Sequence, residues 1–171
     1  MPTLYVETSI VSYLRQRPSA QVVMAARQIL THRWWNVERE KYEMVTSQYV
    51  IDEASVGDAA LAAERLESLR GIPLLPSDPR IIDAAAEIVS RSILPERASV
   101  DALHIATAAH HGIDYLLTWN CKHIANARIL PRIREVLEDL GEPIPIICTP
   151  EELLDDDTTD GDRRDSRHDL G

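Results

Sequence analysis

The sequence predicts an α/β fold with a central, mostly parallel sheet of about five strands flanked by helices. Three observations carry this reading. Short apolar segments rich in Leu, Ile, Val and Tyr recur along the chain, and segments with helical apolar spacing separate them. Turn and cap residues such as Pro18, Gly71, Asp78-Pro79, Gly112 and Gly141 punctuate the boundaries. Finally, acids or acid-like residues end strands or open helices in four separate segments, and in such folds strand C-termini line one crevice.

The elements follow in order. Residues 3–6 read as a buried strand, and Thr8 and Ser9 are placed to cap a helix that runs to about Arg15 before Pro18. Residues 20–39 carry Val22, Val23, Ala26, Ile29, Leu30 and Trp34 at helical spacing, with Trp34 and Trp35 anchoring the far end. Adjacent helical residues point in different directions, so one tryptophan is expected to project from the core. Residues 43–47 form a second strand, and Ser47 caps a helix through Ala54. Asp58 starts another helix through Leu69, with Leu61, Ala62, Leu66 and Leu69 on one face. Residues 72–75 are a third strand, and Asp78-Pro79 opens a helix to about Ser92 with a cap followed by proline at the first helical position. Ser99 caps an Ala-rich helix over 100–111 that Gly112 ends. A fourth strand over 115–118, a helix over 127–140, a fifth strand over 144–147 and a helical turn over 150–154 complete a domain of residues 1–154. Residues 155–171 hold seven aspartates, three arginines and a single apolar residue, Leu170, and read as an acidic, disordered tail.

Bulk properties narrow the function. The hydrophobic fraction of 44% and charged fraction of 27% suit a water-soluble domain, and no run approaches the roughly 20 apolar residues of a membrane helix. Met1 to Ser9 lacks a basic, then apolar, leader pattern, and two cysteines are too few for a disulfide framework, so a cytoplasmic location is expected. A formal net charge of −10 argues against a protein that coats nucleic acid, because phosphate affinity rests on Lys and Arg. It leaves open a nuclease that engages its substrate locally.

Glu7, Glu53, Asp101 and Asn120 are the candidate site residues. Crowded carboxylates repel, so a cluster of them is stable mainly around a hard cation. Each also has a plainer explanation. Glu7 and Asp101 suit the positive ends of helices; Glu53 suits a solvated helix face; Asn120 suits a turn ahead of Lys122. Asp101 nevertheless opens a helix that is apolar nearly all round, where a charge needs a partner. His104 lies one turn later, either as a core histidine or holding Asp101 by a hydrogen bond. Ser9 and Thr118 can donate near the same point. His104, His110, His111, Cys121 and His123 match no structural zinc spacing, and no Gly-rich phosphate loop occurs.

Together, Glu7-Thr8-Ser9, Glu53, the run from Ser99 to Ala108, and Leu116-Leu117-Thr118-Trp119-Asn120 resemble the PIN-domain ribonucleases, especially the VapC-type toxins of bacterial toxin–antitoxin pairs. The resemblance spans residues 3 to about 150 and implies a PIN-like sheet. It implies an endoribonuclease in which Glu7, Glu53 and Asp101 hold Mg2+ or Mn2+, Asn120 orients a water, and Ser9 and Thr118 support the acids. It also implies a homodimer and a protein antitoxin bound along the helices of residues 8–56. Two positions depart from the family: Glu7 and Asn120 stand where Asp is usual. Three carboxylates in place of four weaken a second metal more than the first. The competing readings are a PIN-like module that binds RNA or a protein without cutting, and a metal-dependent hydrolase of small phosphoesters.

Overall fold

Five short strands, β1 (Thr3–Val6), β2 (Glu43–Ser47), β3 (Leu74–Leu75), β4 (Tyr115–Leu117) and β5 (Ile146–Cys148), pair in parallel in the order β3-β2-β1-β4-β5. The computed structural model describes residues 1–91 and 93–155. The expected tail, apart from Asp155, lies outside the described residues. The helices are α1 (Thr8–Arg15), α2 (Val22–Arg33), α3 (Gln48–Ala54), α4 (Ala59–Leu69), α5 (Pro79–Ser90), α6 (Ser99–His110) and α7 (Leu130–Asp139). Helix α1 packs on α2, α3 and α4, and α5 packs on α6 and α7. No helix among the described residues is long and apolar enough to cross a membrane.

The central strand is the first in sequence. Leu4 pairs with Met44 on one side and Tyr115 on the other, and Tyr5 with Val45 and Leu116. Every strand is parallel, so all five C-termini point to one edge. The chain proceeds from β1 outward through β2 and β3, then returns to the other side of β1 as β4. The point outside the ends of β1 and β4 is therefore the topological switch point, where open α/β sheets form their crevice. The central strands β1 and β4 are largely apolar because both faces are covered. Leu4, Val6, Leu116 and Leu117 are fully buried, and with no phenylalanine the bulk of the core comes from Trp34, Tyr5 and the aliphatic residues of α1, α5 and α6.

Several local expectations need correction. The expected helix over 20–39 stops at Arg33 and continues as a π-turn over Trp34–Glu38 and a 3-10 turn over Arg39–Lys41. Both tryptophans are buried. Trp34 packs against Tyr42, Trp35 lies under the Arg39 guanidinium, and the 3-10 turn Pro150–Leu153 closes over this segment. Helix α2 is also rotated from its apolar spacing: Val22, Val23 and Ile29 are exposed, whereas Gln28 and Thr31 are buried. The buried pair is hydrogen-bonded. Gln28 donates to the Arg17 carbonyl and accepts from the Ser19 N–H, and Thr31 accepts the Trp119 indole N–H. These partners satisfy backbone and indole groups that burial would otherwise leave unpaired.

The caps differ too. Glu7, not Thr8 or Ser9, caps α1, accepting from the Ser9 N–H. Ser47 makes no cap bond and uses its hydroxyl on Tyr5. Ala98 precedes α6, so Ser99 is its first helical residue. The helix after Asn120 begins only at Leu130, because residues 121–129 form turns held by Asn120 and Asn126 carbonyls.

Candidate metal centre

Glu7 leaves β1 at the switch point and is 4% exposed. A buried carboxylate is costly unless hydrogen-bonded. Here one oxygen, Oε2, accepts from the Ser9 N–H at 3.0 Å, from the Thr118 hydroxyl at 2.7 Å and from the Ser9 hydroxyl. The two hydroxyls are themselves fixed. The Trp119 N–H donates to Ser9 Oγ at 2.7 Å, and the Asn120 N–H donates to Thr118 Oγ1 at 2.9 Å. The start of α1 and the end of β4 are thus stitched together through one carboxylate oxygen. Oε1 of Glu7 has no donor among the described residues.

Glu53 reaches the same point from the last turn of α3. Its Oε1 accepts from the Thr8 hydroxyl at 2.6 Å and pairs with His104 Nε2 at 2.6 Å. His104 is fully buried, and its Nδ1 lies 2.8 Å from the Tyr5 hydroxyl, which lies 2.6 Å from Ser47 Oγ. Burial acts to discharge His104, but the hydrogen bond to Glu53 and the charges of Glu7, Glu53 and Asp101 outweigh it and raise its pKa. Burial likewise acts to raise the Glu53 carboxyl, yet the hydrogen bond and charge of His104 and the Thr8 hydroxyl hold it below its usual value. Burial pushes the Tyr5 hydroxyl well above its usual range, so it stays neutral. With His104 protonated, the chain has one direction: Nε2–H donates to Glu53, Nδ1–H to the Tyr5 oxygen, and the Tyr5 O–H to Ser47.

Asp101, in the first turn of α6, is close enough to raise the His104 pKa, but its Oδ2 pairs with His123 Nδ1 at 3.0 Å. His104 therefore holds Glu53, not Asp101 as one reading of their spacing suggested. Asn120 stands beside the pocket through its bond to Thr118, while its Oδ1 accepts the His123 N–H at 3.0 Å. That is the turn role open to it from sequence. The residues weighed for zinc are dispersed: His110 lies between Asp78 and Glu142, His111 bonds the Pro76 carbonyl, and His123 holds Asp101.

One ligand-capable atom from each of Glu7, Glu53 and His104 lies within 4.8 Å of the others. The donor set fits a small hard cation through the carboxylates: Glu7 and Glu53 each keep one oxygen free of donors among the described residues, and carboxylate oxygens suit Mg2+ or Mn2+. His104 fits less well as a ligand, since both ring nitrogens are already engaged. Its place is that of a buried hydrogen-bond partner steadying Glu53.

Four contributors escaped the sequence reading. Thr8, Tyr5 and Ser47 support the pocket across 45, 99 and 42 positions of sequence respectively in their bonds to Glu53, His104 and Tyr5. The fourth, His123, figures in the sequence only among the candidate zinc ligands and not as a partner of Asp101. A tyrosine inside an otherwise aliphatic strand was the available signal, because a buried Tyr hydroxyl needs a partner.

The PIN domain family model matches residues 4–127. Neither a curated protein nor a solved structure matches the chain.

Proposed function

This chain belongs to the PIN domain family, and we propose that it is a metal-dependent endoribonuclease acting as the toxin of a toxin–antitoxin pair. PIN domains are generally metal-dependent nucleases, and PIN nucleases act on RNA. The observation that carries the reading is the convergence of Glu7 and Glu53 at the switch point, each with an oxygen free to bind a cation. Glu7, Glu53 and Asp101 would hold Mg2+ or Mn2+. A bound divalent ion would supply charge neutralisation at the phosphodiester and acidify the attacking water. The chain's own residues prepare that chemistry. Ser9 and Thr118 aim Glu7; Thr8 and His104 aim Glu53; His123 aims Asp101. When protonated, His104 would offset part of the repulsion among the acids.

The test is RNA cleavage with and without Mg2+ or Mn2+, alongside calorimetric Mn2+ titration. We expect wild type to cut and Asp101→Asn to bind Mn2+ weakly and not cut while keeping its melting temperature. Cleavage at an unchanged rate by folded Asp101→Asn would refute the role of Asp101. Asn120 favours a second reading, a module that binds RNA without cutting, because its Oδ1 is occupied by the His123 N–H. Metal binding and RNA binding without cleavage by wild type would select that reading. The family resemblance supports a homodimer and an antitoxin seated along residues 8–56, where α2 leaves Val22, Val23 and Ile29 exposed. A monomer by light scattering at high concentration would count against the dimer.

A further inference from the structure

An acidic protein that cuts RNA needs a local cation, since 28 acids against 18 Lys and Arg repel the substrate at long range. Arg27 of α2 occupies an unusual setting. Its guanidinium lies over two rings, 5.3 Å from the centre of Trp119 and 5.9 Å from that of Tyr13. It makes one hydrogen bond, from Nη1 to the Tyr13 hydroxyl at 3.3 Å, and pairs with no carboxylate among the described residues. A guanidinium has five N–H donors, so most of its donor capacity is left over.

The rings that hold it are tied to the metal pocket. The Trp119 backbone N–H donates to the same Ser9 hydroxyl that donates to Glu7. The Trp119 indole N–H donates to Thr31 Oγ1 at 2.7 Å, and the Thr31 hydroxyl donates back to the Arg27 carbonyl at 2.6 Å. Tyr13 sits one turn beyond Ser9 on α1, edge-on to Trp119 with ring centres 6.1 Å apart. The half-buried cation is thus preorganised from both sides, so little side-chain freedom remains to be lost when it binds.

We propose that Arg27 binds a backbone phosphate of the RNA beside the metal pocket. This rests on the nuclease reading and adds a substrate contact to it. Aromatic faces leave the in-plane N–H groups of a guanidinium free for the paired oxygens of a phosphate. Such a contact is independent of base sequence, so it positions the strand and does not select it.

The test uses the full chain, a fluorescent single-stranded RNA, and Ca2+ in place of Mg2+, with a gel to verify that the RNA stays intact. Anisotropy titrations across a salt series give Kd and its salt dependence for wild type, Arg27→Lys, Arg27→Gln and Arg27→Met. The methionine keeps an alkyl stem against the rings if glutamine compromises folding. The expected result is a roughly tenfold or greater rise in Kd for the Gln and Met variants, with the salt slope reduced by about 0.7, the value for one phosphate contact on a single strand. Arg27→Lys retains the slope, and Mn2+ affinity stays at the wild-type value in all three. Wild-type Kd and slope in folded Arg27→Met would overturn the phosphate contact and leave the nuclease reading standing. A wild type that binds Mn2+ but no RNA at any salt would overturn both.

Discussion

Replacing Tyr5 with phenylalanine tests whether the buried hydrogen-bond chain sets the metal pocket. The ring stays, so β1 keeps its packing, and only the hydroxyl is lost. That hydroxyl lies 2.6 Å from Ser47 Oγ and 2.8 Å from His104 Nδ1, and both neighbours are buried. Each orphaned buried group costs about 1–3 kcal/mol. Two of them, partly relaxed, give a loss of about 3 kcal/mol, or roughly 6 to 12 °C of melting temperature for a chain of this size. The functional effect is separate. His104 loses one of the two bonds that fix its ring, so Glu53 loses its aim, and supporting partners of this kind are worth about 10- to 100-fold in metal affinity. Thermal unfolding and Mn2+ calorimetry on Tyr5→Phe, Ser47→Ala and the double variant measure both effects. The double variant should cost clearly less than the two single losses combined, because they share one bond. A Tyr5→Phe protein with unchanged melting temperature and Mn2+ affinity would refute the chain.

Two further outcomes follow from the same geometry. Without metal, the His104 pKa is raised above 6.5, so its contribution is full below that value and fades as pH rises through the raised pKa. The Glu53 pKa is lowered from 4.5, so its contribution is present above that value and is lost as pH falls through the lowered one. The metal-free protein should therefore melt higher at about pH 5.5 than at about pH 8.5, and His104→Gln should flatten that difference; an unchanged pH profile in a folded variant would contradict the pairing. For the tail, a chain ending at Asp155 should keep the full-length melting temperature, since residues 156–171 include almost nothing apolar to bury; a drop of several degrees in a thermal melt would show that the tail is docked.

The strands and most helices were legible because their signals are local. The Asp78-Pro79 start of α5 and the Gly112 and Gly141 stops need only neighbours in sequence. Helix α2 was misread because its burial is decided elsewhere. Thr31 is inside because the Trp119 indole, 88 positions later, requires an acceptor, and Val22 is outside because nothing in the described chain covers it. The pocket divides along the same line. Acids at element ends could be identified one by one, and a parallel sheet with a switch point is what brings Glu7 and Glu53 together. What the spacing could not give is which group each acid meets. Asp101 and His104 share a helix face, which suggested a mutual bond, yet the two side chains turn to different elements, His123 and Glu53. A partner across a parallel sheet depends on the register between strands, and Tyr5 opposite Val45 fixes the hydroxyl within reach of Ser47, two residues on. The supporting bonds of this pocket therefore follow from the register of β1 with its neighbours, and a change that slipped that register would dismantle the pocket while leaving every acid in the sequence.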